Sequence, residues 1–146
     1  MHRTGLLLLL AALLTGSVAA RASEQQGALV LVAGATGRTG THVVAQLLES
    51  GYRVRALARD AERATQALPA GVELIEGDVR EPQSLAGAVR EARYVISAVG
   101  SNSRRDPANS PEAVDYRGIE ALVDASLTAG VEQFVLVSAI GTGLVQ

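Results

Sequence analysis

Apolar and polar residues come in blocks along this chain, and the period inside the blocks changes from one to the next. Residues 28–33, Ala-Leu-Val-Leu-Val-Ala, form an unbroken apolar run. A short run of that kind, ended by a glycine, predicts a strand buried on both faces. Between Arg38 and Ser50 the period lengthens. Gly40, Val43, Val44, Leu47 and Leu48 fall on one face of a helix, and Gly51 is placed to stop it. Arg53–Ala58 predicts a second strand. Asp60 caps a short helix that runs to about Leu68 and ends at Pro69. Val72–Ile75 predicts a third strand, and Glu81–Ala92 a helix with Pro82 in its first turn. Tyr94–Val99 predicts a fourth strand, followed by a polar loop from Gly100 to Asn109. Ser110 and Pro111 open a fourth helix, which buries Val114, Gly118, Ala121, Leu122 and Ala125 and ends at Gly130. Gln133–Ser138 predicts the fifth strand.

Strands separated by helices imply right-handed crossovers and a parallel sheet. The expected architecture is α/β: a Rossmann-type doubly wound parallel sheet, five strands in the order 3-2-1-4-5. This domain takes residues 28–146, and because the sequence stops soon after the fifth strand it reads as C-terminally short. Residues 23–27 read as a polar linker, and residues 1–22 as a signal peptide or anchor. In that segment Arg3 supplies the positive end and Leu6–Leu14 an apolar run too short to span a bilayer comfortably. Ala20-Arg21-Ala22, or Val18-Ala19-Ala20, fits a small-x-small cleavage site. The segment predicts an exported, periplasmic or membrane-anchored protein; the alternative is a cytoplasmic one with a misassigned start.

Composition narrows the chemistry. The 146 residues carry a formal net charge of −2, which favours neither a nucleic-acid partner nor a basic membrane patch. Membrane contact is expected only through the N-terminal segment. Cysteine is missing, so disulfides, thiolate catalysis and thiolate metal sites are excluded. The histidines offer no metal site either: His2 lies in the targeting segment, and His42 points away from the apolar face of its helix. All 13 basic residues are arginines. Arg104, Arg105 and Asp106 read as a solvated charge run.

Candidate chemistry concentrates between the first strand and its helix, in Gly34-Ala-Thr-Gly37-Arg-Thr-Gly40. Three glycines at three-residue spacing, after a strand and opening a helix, are the layout of a dinucleotide-binding turn. Gly34 lets the chain turn off the strand. Gly37 lets backbone N–H groups approach a pyrophosphate, and Gly40 lets the helix pack on the strand. Thr36, Arg38 and Thr39 belong to the same expected cradle, at a helix N-terminus whose free N–H groups and dipole favour an anion. Arg59 stands about 20 residues further on, where an NAD-selective site has an acid for the ribose 2′-hydroxyl. An arginine suits a 2′-phosphate instead, so NADP(H) is expected over NAD(H), with Arg38 in reach of the same phosphate. The adjacent Asp60 reads either as a 2′-hydroxyl ligand or as the helix cap. Ala98-Val99-Gly100 ends the fourth strand at the expected switch-point crevice, where small residues let the chain run beside a cofactor.

Four stretches also carry a family resemblance: Gly34 to Gly40, Tyr52 to Asp60, Glu76-Gly77-Asp78-Val79, and Phe134 to Ser138. Together they resemble the atypical short-chain dehydrogenase/reductase superfamily, and more narrowly the NmrA-like and biliverdin-reductase-B-like NAD(P)H-binding proteins. The resemblance implies that Asp78 and the N–H of Val79 meet an adenine edge; an Asx turn is the alternative for Asp78. It also implies a hydroxyl near the nicotinamide at Ser138. That residue is a weak catalytic candidate, because Ala139 stands where many members have a second serine. The superfamily's catalytic pair is Tyr-x-x-x-Lys, in which the lysine lowers the tyrosine pKa. No lysine occurs here, and Tyr116 is followed at the fourth position by Glu120. Two readings stay open. One is an incomplete oxidoreductase acting on a small molecule; the other is a non-catalytic sensor or assembly module with a protein partner.

Overall fold

The structure is a computed structural model and describes residues 27–102, 104 and 106–138. Residues 1–22, expected to be a signal peptide or anchor, the expected linker up to residue 26, Arg105 and Ala139 lie outside the described residues. Strand β1 (Leu29–Ala33) is followed by helix α1 (Arg38–Glu49), β2 (Arg53–Ala58) and α2 (Ala61–Ala67). Then come β3 (Glu73–Glu76), a 3₁₀ turn (Pro82–Ser84), α3 (Leu85–Val89) and β4 (Tyr94–Ser97). A π-helical segment (Glu112–Gly118) runs into α4 (Ile119–Thr128), and β5 (Gln133–Leu136) closes the order. All strand pairs are parallel, and the sheet runs β3-β2-β1-β4-β5. The fold class and the strand order are those the hydrophobic pattern predicts.

The central strand explains the apolar run. Every residue of β1 is buried, because successive side chains point to opposite faces and both faces are covered. Val30 and Val32 join Val44 of α1 and Val54 and Ala56 of β2 in one core layer. Leu31 and Ala33 join Leu85, Ala88 and Val89 of α3 and Leu122 of α4 in the other. The sheet is therefore doubly wound about β1.

Several elements depart from their predicted bounds or geometry. The helix predicted over Glu81–Ala92 is a 3₁₀ turn and five α-helical residues. Gly87 weakens its middle, Arg90 leaves helical geometry (ψ 129°), and Glu91 takes a positive φ of 62°. The fourth helix begins with π turns. Its buried positions Val114, Gly118, Leu122 and Ser126 recur every fourth residue. That spacing overshoots an α-turn by about 40° per step, and a wider turn takes up part of the excess. Strands β4 and β5 end at Ser97 and Leu136 rather than at Val99 and Ser138, and the residues just beyond β4 line a crevice.

One buried charge ties three elements together. Arg55, on β2, is 7% exposed. Its Nε donates to Glu73 Oε1 of β3 at 2.8 Å. Its Nη1 donates to the carbonyls of Ala88 at 3.0 Å and Arg90 at 2.5 Å, satisfying acceptors that the end of α3 leaves open. Arg55→Leu strands those carbonyls and is expected to cost about 1–3 kcal/mol. Urea denaturation checks this: the midpoint falls while the slope stays that of the parent.

Candidate functional site

The turn between β1 and α1 separates the three glycines by what each is for. Gly34 has φ +77°, and a Cβ there would sit 2.7 Å from the carbonyl carbon and oxygen of Ala98. A Cβ on Gly40 would collide with the Gly34 carbonyl oxygen and lie 2.8 Å from Ala35 Cα. Gly40 thus packs α1 against the turn itself, rather than against the strand. Gly37 differs from both. Its φ of −77° and ψ of 165° are open to any residue, and a Cβ there would approach only the Gly34 oxygen, at 3.2 Å. The residue is exposed. What its missing side chain leaves is space above the N-terminus of α1. That N-terminus has no side-chain cap and no acidic residue in its first turn, so its backbone N–H groups remain open to an anion.

This turn forms one wall of a cleft of about 220 Å³ at the C-terminal ends of β1 to β4. Gly34, Thr36 and Gly37 line it from the turn, and Leu57, Ala58 and Arg59 from the end of β2. Gly77, Asp78 and Val79 line it after β3, and Ala98, Val99 and Gly100 after β4. Asn102, Asn109 and Val114 complete it from the following loop and helix. The crevice lies where the strand order reverses, between β1 and β4, the place where open α/β sheets bind ligands.

Most of the residues singled out in the sequence meet here. Arg38 and Thr39 do not line the cleft; they are exposed in the first turn of α1. Gly40 is buried behind the turn. Ser138 is exposed just past β5 and is not among the lining residues. Sequence reasoning passed over Leu57, Ala58 and Gly77, which the strand-end rule could have supplied as neighbours of Arg59 and Asp78. Asn102, Asn109 and Val114 carry no local signal, because the loop and helix that hold them reach the cleft only through tertiary packing.

Charge in the cleft is sorted between two arginines. Asp60 Oδ1 accepts from the Arg63 N–H at 2.9 Å, so Asp60 is the cap of α2. Asp78 makes an Asx turn: its Oδ1 accepts from the Arg80 N–H at 2.9 Å. Arg80 Nε lies 3.1 and 3.0 Å from the two carboxylate oxygens, and Nη2 lies 2.6 Å from Oδ2. Burial pushes the Asp78 carboxyl up, but the Arg80 hydrogen bonds and the charges of Arg80 and Arg59 outweigh it. The net shift is below the ordinary carboxylate value. Arg59 is exposed, and its Nη1 donates to Asn109 Oδ1 at 3.1 Å. The loop that brings Asn109 here is anchored at its start by Asp115, which accepts from Ser101 N at 2.8 Å and Oγ at 2.6 Å.

Residues 34–146 match the model of the NAD(P)H-binding family. The chain belongs to that family. Within it the chain is of the atypical short-chain dehydrogenase/reductase kind, and it is an NAD(P)H-binding domain. It is 38% identical over 114 residues to the photosystem II assembly factor Ycf39 of Cyanophora paradoxa, covering 77% of this chain and 35% of that one. It is 35% identical over 115 residues to an NAD(P)H azoreductase of Xenophilus azovorans, covering 77% and 36%. Among solved structures, the epimerase Mth375 of Methanothermobacter thermautotrophicus aligns with a TM-score of 0.70 at 25% identity. That alignment covers 86% of this chain and 39% of the epimerase. The chain spans less than half the length of the curated relatives it matches.

Two measurements follow from this geometry. Gly40→Ala forces a Cβ into backbone and is expected to cost about 1–3 kcal/mol or more. Gly37→Ala should change stability by no more than about 1 kcal/mol. Chemical denaturation of both variants side by side decides it. The Asp78–Arg80 pair sets a pH dependence. Because the folded-state pKa of Asp78 is lowered, its contribution to stability is present above the ordinary value of 3.8. It is lost as pH falls below that, where the unfolded chain binds the proton more readily. In thermal melts, Asp78→Asn should be less stable than the parent at pH 7, and the difference should shrink toward pH 2.

Proposed function

We propose that this chain binds NADP(H) in preference to NAD(H) in the cleft above β1–β4. The pyrophosphate lies on the Gly34–Gly40 turn and the adenosine end lies at Arg59. The single observation that carries this reading is the state of Arg59. It stands at the end of β2, faces the cleft, and is hydrogen-bonded to a neutral amide rather than to a carboxylate. A guanidinium so placed has donors left for phosphate oxygens in its planar fork. The residues present fit such a ligand at its other end too, because the space left by Gly37 lies over the open N–H groups of α1.

The dinucleotide supplies hydride chemistry when bound. The residues of this chain bind it, orient it and shape the cleft floor with Ala98, Val99 and Gly100. No lysine is available to lower the pKa of a tyrosine, and Tyr116, 60% exposed, is not among the cleft residues. We therefore read these residues as the dinucleotide-binding part of an oxidoreductase, a part that does not itself carry the Tyr-x-x-x-Lys pair. A second reading, a non-catalytic sensor or assembly module, draws on the 38% identity to an assembly factor. Turnover of NADPH with an added acceptor separates the two.

Titration of the full chain with NADPH and NADH tests the main reading. NADPH should bind about 10–100-fold more tightly, the size of one or two hydrogen bonds to a charged group. Arg59→Asp should reverse the order, since it replaces a phosphate clamp with an acid suited to a ribose hydroxyl. Equal affinities in the parent overturn the reading.

A further inference from the structure

Among the described residues, Arg55, Arg80, Arg93 and Arg117 each form an ion pair with a carboxylate. Arg59 is bound differently, by the side-chain oxygen of Asn109, 50 residues away in sequence. Asp60, its neighbour in sequence, and Asp78, which shares the cleft, are both engaged elsewhere. Asp60 caps α2, and both oxygens of Asp78 are held by Arg80. Among the described residues Arg59 forms no ion pair, although its charge is felt at Asp78.

We propose that Asn109 is a positioning residue for dinucleotide selectivity, holding the Arg59 guanidinium at the cleft mouth without neutralising it. The inference rests on the NADP(H) reading above and names the residue that makes it work. An amide oxygen accepts one N–H of a guanidinium and leaves the other four for a phosphate. A carboxylate at the same place would fix the side chain equally well but would cancel the charge that the phosphate needs. Holding a long side chain in place before the ligand arrives also removes an ordering cost from binding.

The position of Asn109 is itself built. Its backbone N–H donates to the Asp106 carbonyl at 2.9 Å, and Asp106 Oδ1 accepts from Ala108 N at 2.9 Å. Ser110 follows, accepting from the Ala113 N–H at 3.2 Å where the helix begins. Arg80 reaches the same turn, with Nη1 3.9 Å from Asp106 Oδ2. The two arginines thus meet one turn in different ways. Arg80 contributes charge pairing, and Arg59 receives a neutral acceptor.

The test uses the full chain and two substitutions at one position, read as the ratio of NADPH to NADH affinity. Asn109→Ala releases the guanidinium and should lower the ratio about 2–10-fold, the effect of one long side chain left to be ordered on binding. Asn109→Asp keeps the shape and the contact but adds a charge, and should lower the ratio at least as far as Arg59→Ala does. Denaturation midpoints of both variants show that the fold is kept. A residue that merely shaped the loop would leave the ratio unchanged in Asn109→Asp. That result, with the ratio still abolished by Arg59→Ala, overturns the role of Asn109 and spares the NADP(H) reading. A parent chain with no preference overturns that reading and this inference together.

Discussion

The approach of backbone to backbone at the end of β1 is the constraint on which the rest of the domain depends. Gly34 lies against the Ala98 peptide at the end of β4, and Gly40 lies against Gly34. Neither contact leaves room for a methyl group. Close packing of this kind lets α1 start directly above the strand, so that its first N–H groups face the crevice between β1 and β4. If either glycine carried a side chain, the helix would stand off, the crevice would widen, and the N–H groups would no longer converge. Gly37 takes no part in this packing. Its bareness serves whatever lies above the turn, which is why the fold and the ligand place separate demands on one short motif.

Electrostatics divides along similar lines. With arginine as the sole basic residue, every cationic role falls to a planar fork with five donors. The structure uses that fork for three tasks. At Arg55 it caps a helix end inside the protein and joins β2 to β3. At Arg80 it holds Asp78 in a turn after β3. At Arg59 it is left charged at the cleft mouth. The same side chain thus contributes to stability, to loop geometry and to a ligand surface, and its partner decides which.

The family relationship sets the scale of what this domain contributes. The relatives are more than twice as long as the stretch they share with it, and one carries the name of an assembly factor while another is an NAD(P)H azoreductase. A shared dinucleotide-binding fold is compatible with both, because chemistry depends on the residues added around the cofactor rather than on the sheet that holds it. At the far side of the sheet, Val135, Leu136 and Val137 on and beside β5 are exposed.

Much of this was legible along the chain. The apolar run of β1, the helical period of α1, the stop at Gly51 with φ 82° and the cap at Asp60 are local, so local pattern identified them. The parallel sheet followed from alternation, since parallel strands need crossovers, and the glycine turn after the first strand pointed to the order 3-2-1-4-5. The glycine spacing marked the turn, and the position of Arg59 marked the end of β2. What sequence could not supply were contacts between residues far apart along the chain. Gly118, at the end of the π turns, lies where a Cβ would come within 2.8 Å of Val79, and the break after α3 leaves carbonyls that Arg55 satisfies from another strand. Asp60 and Asp78 each had two chemically sound roles, and both side chains settle on N–H groups two or three residues ahead, Asp60 as a cap and Asp78 in an Asx turn. Asn109 had no role at all until the fold brought it to Arg59. Propensity and period act over a few residues and were decided by the sequence; partners for a charge are chosen in three dimensions, and only the tertiary structure decided them.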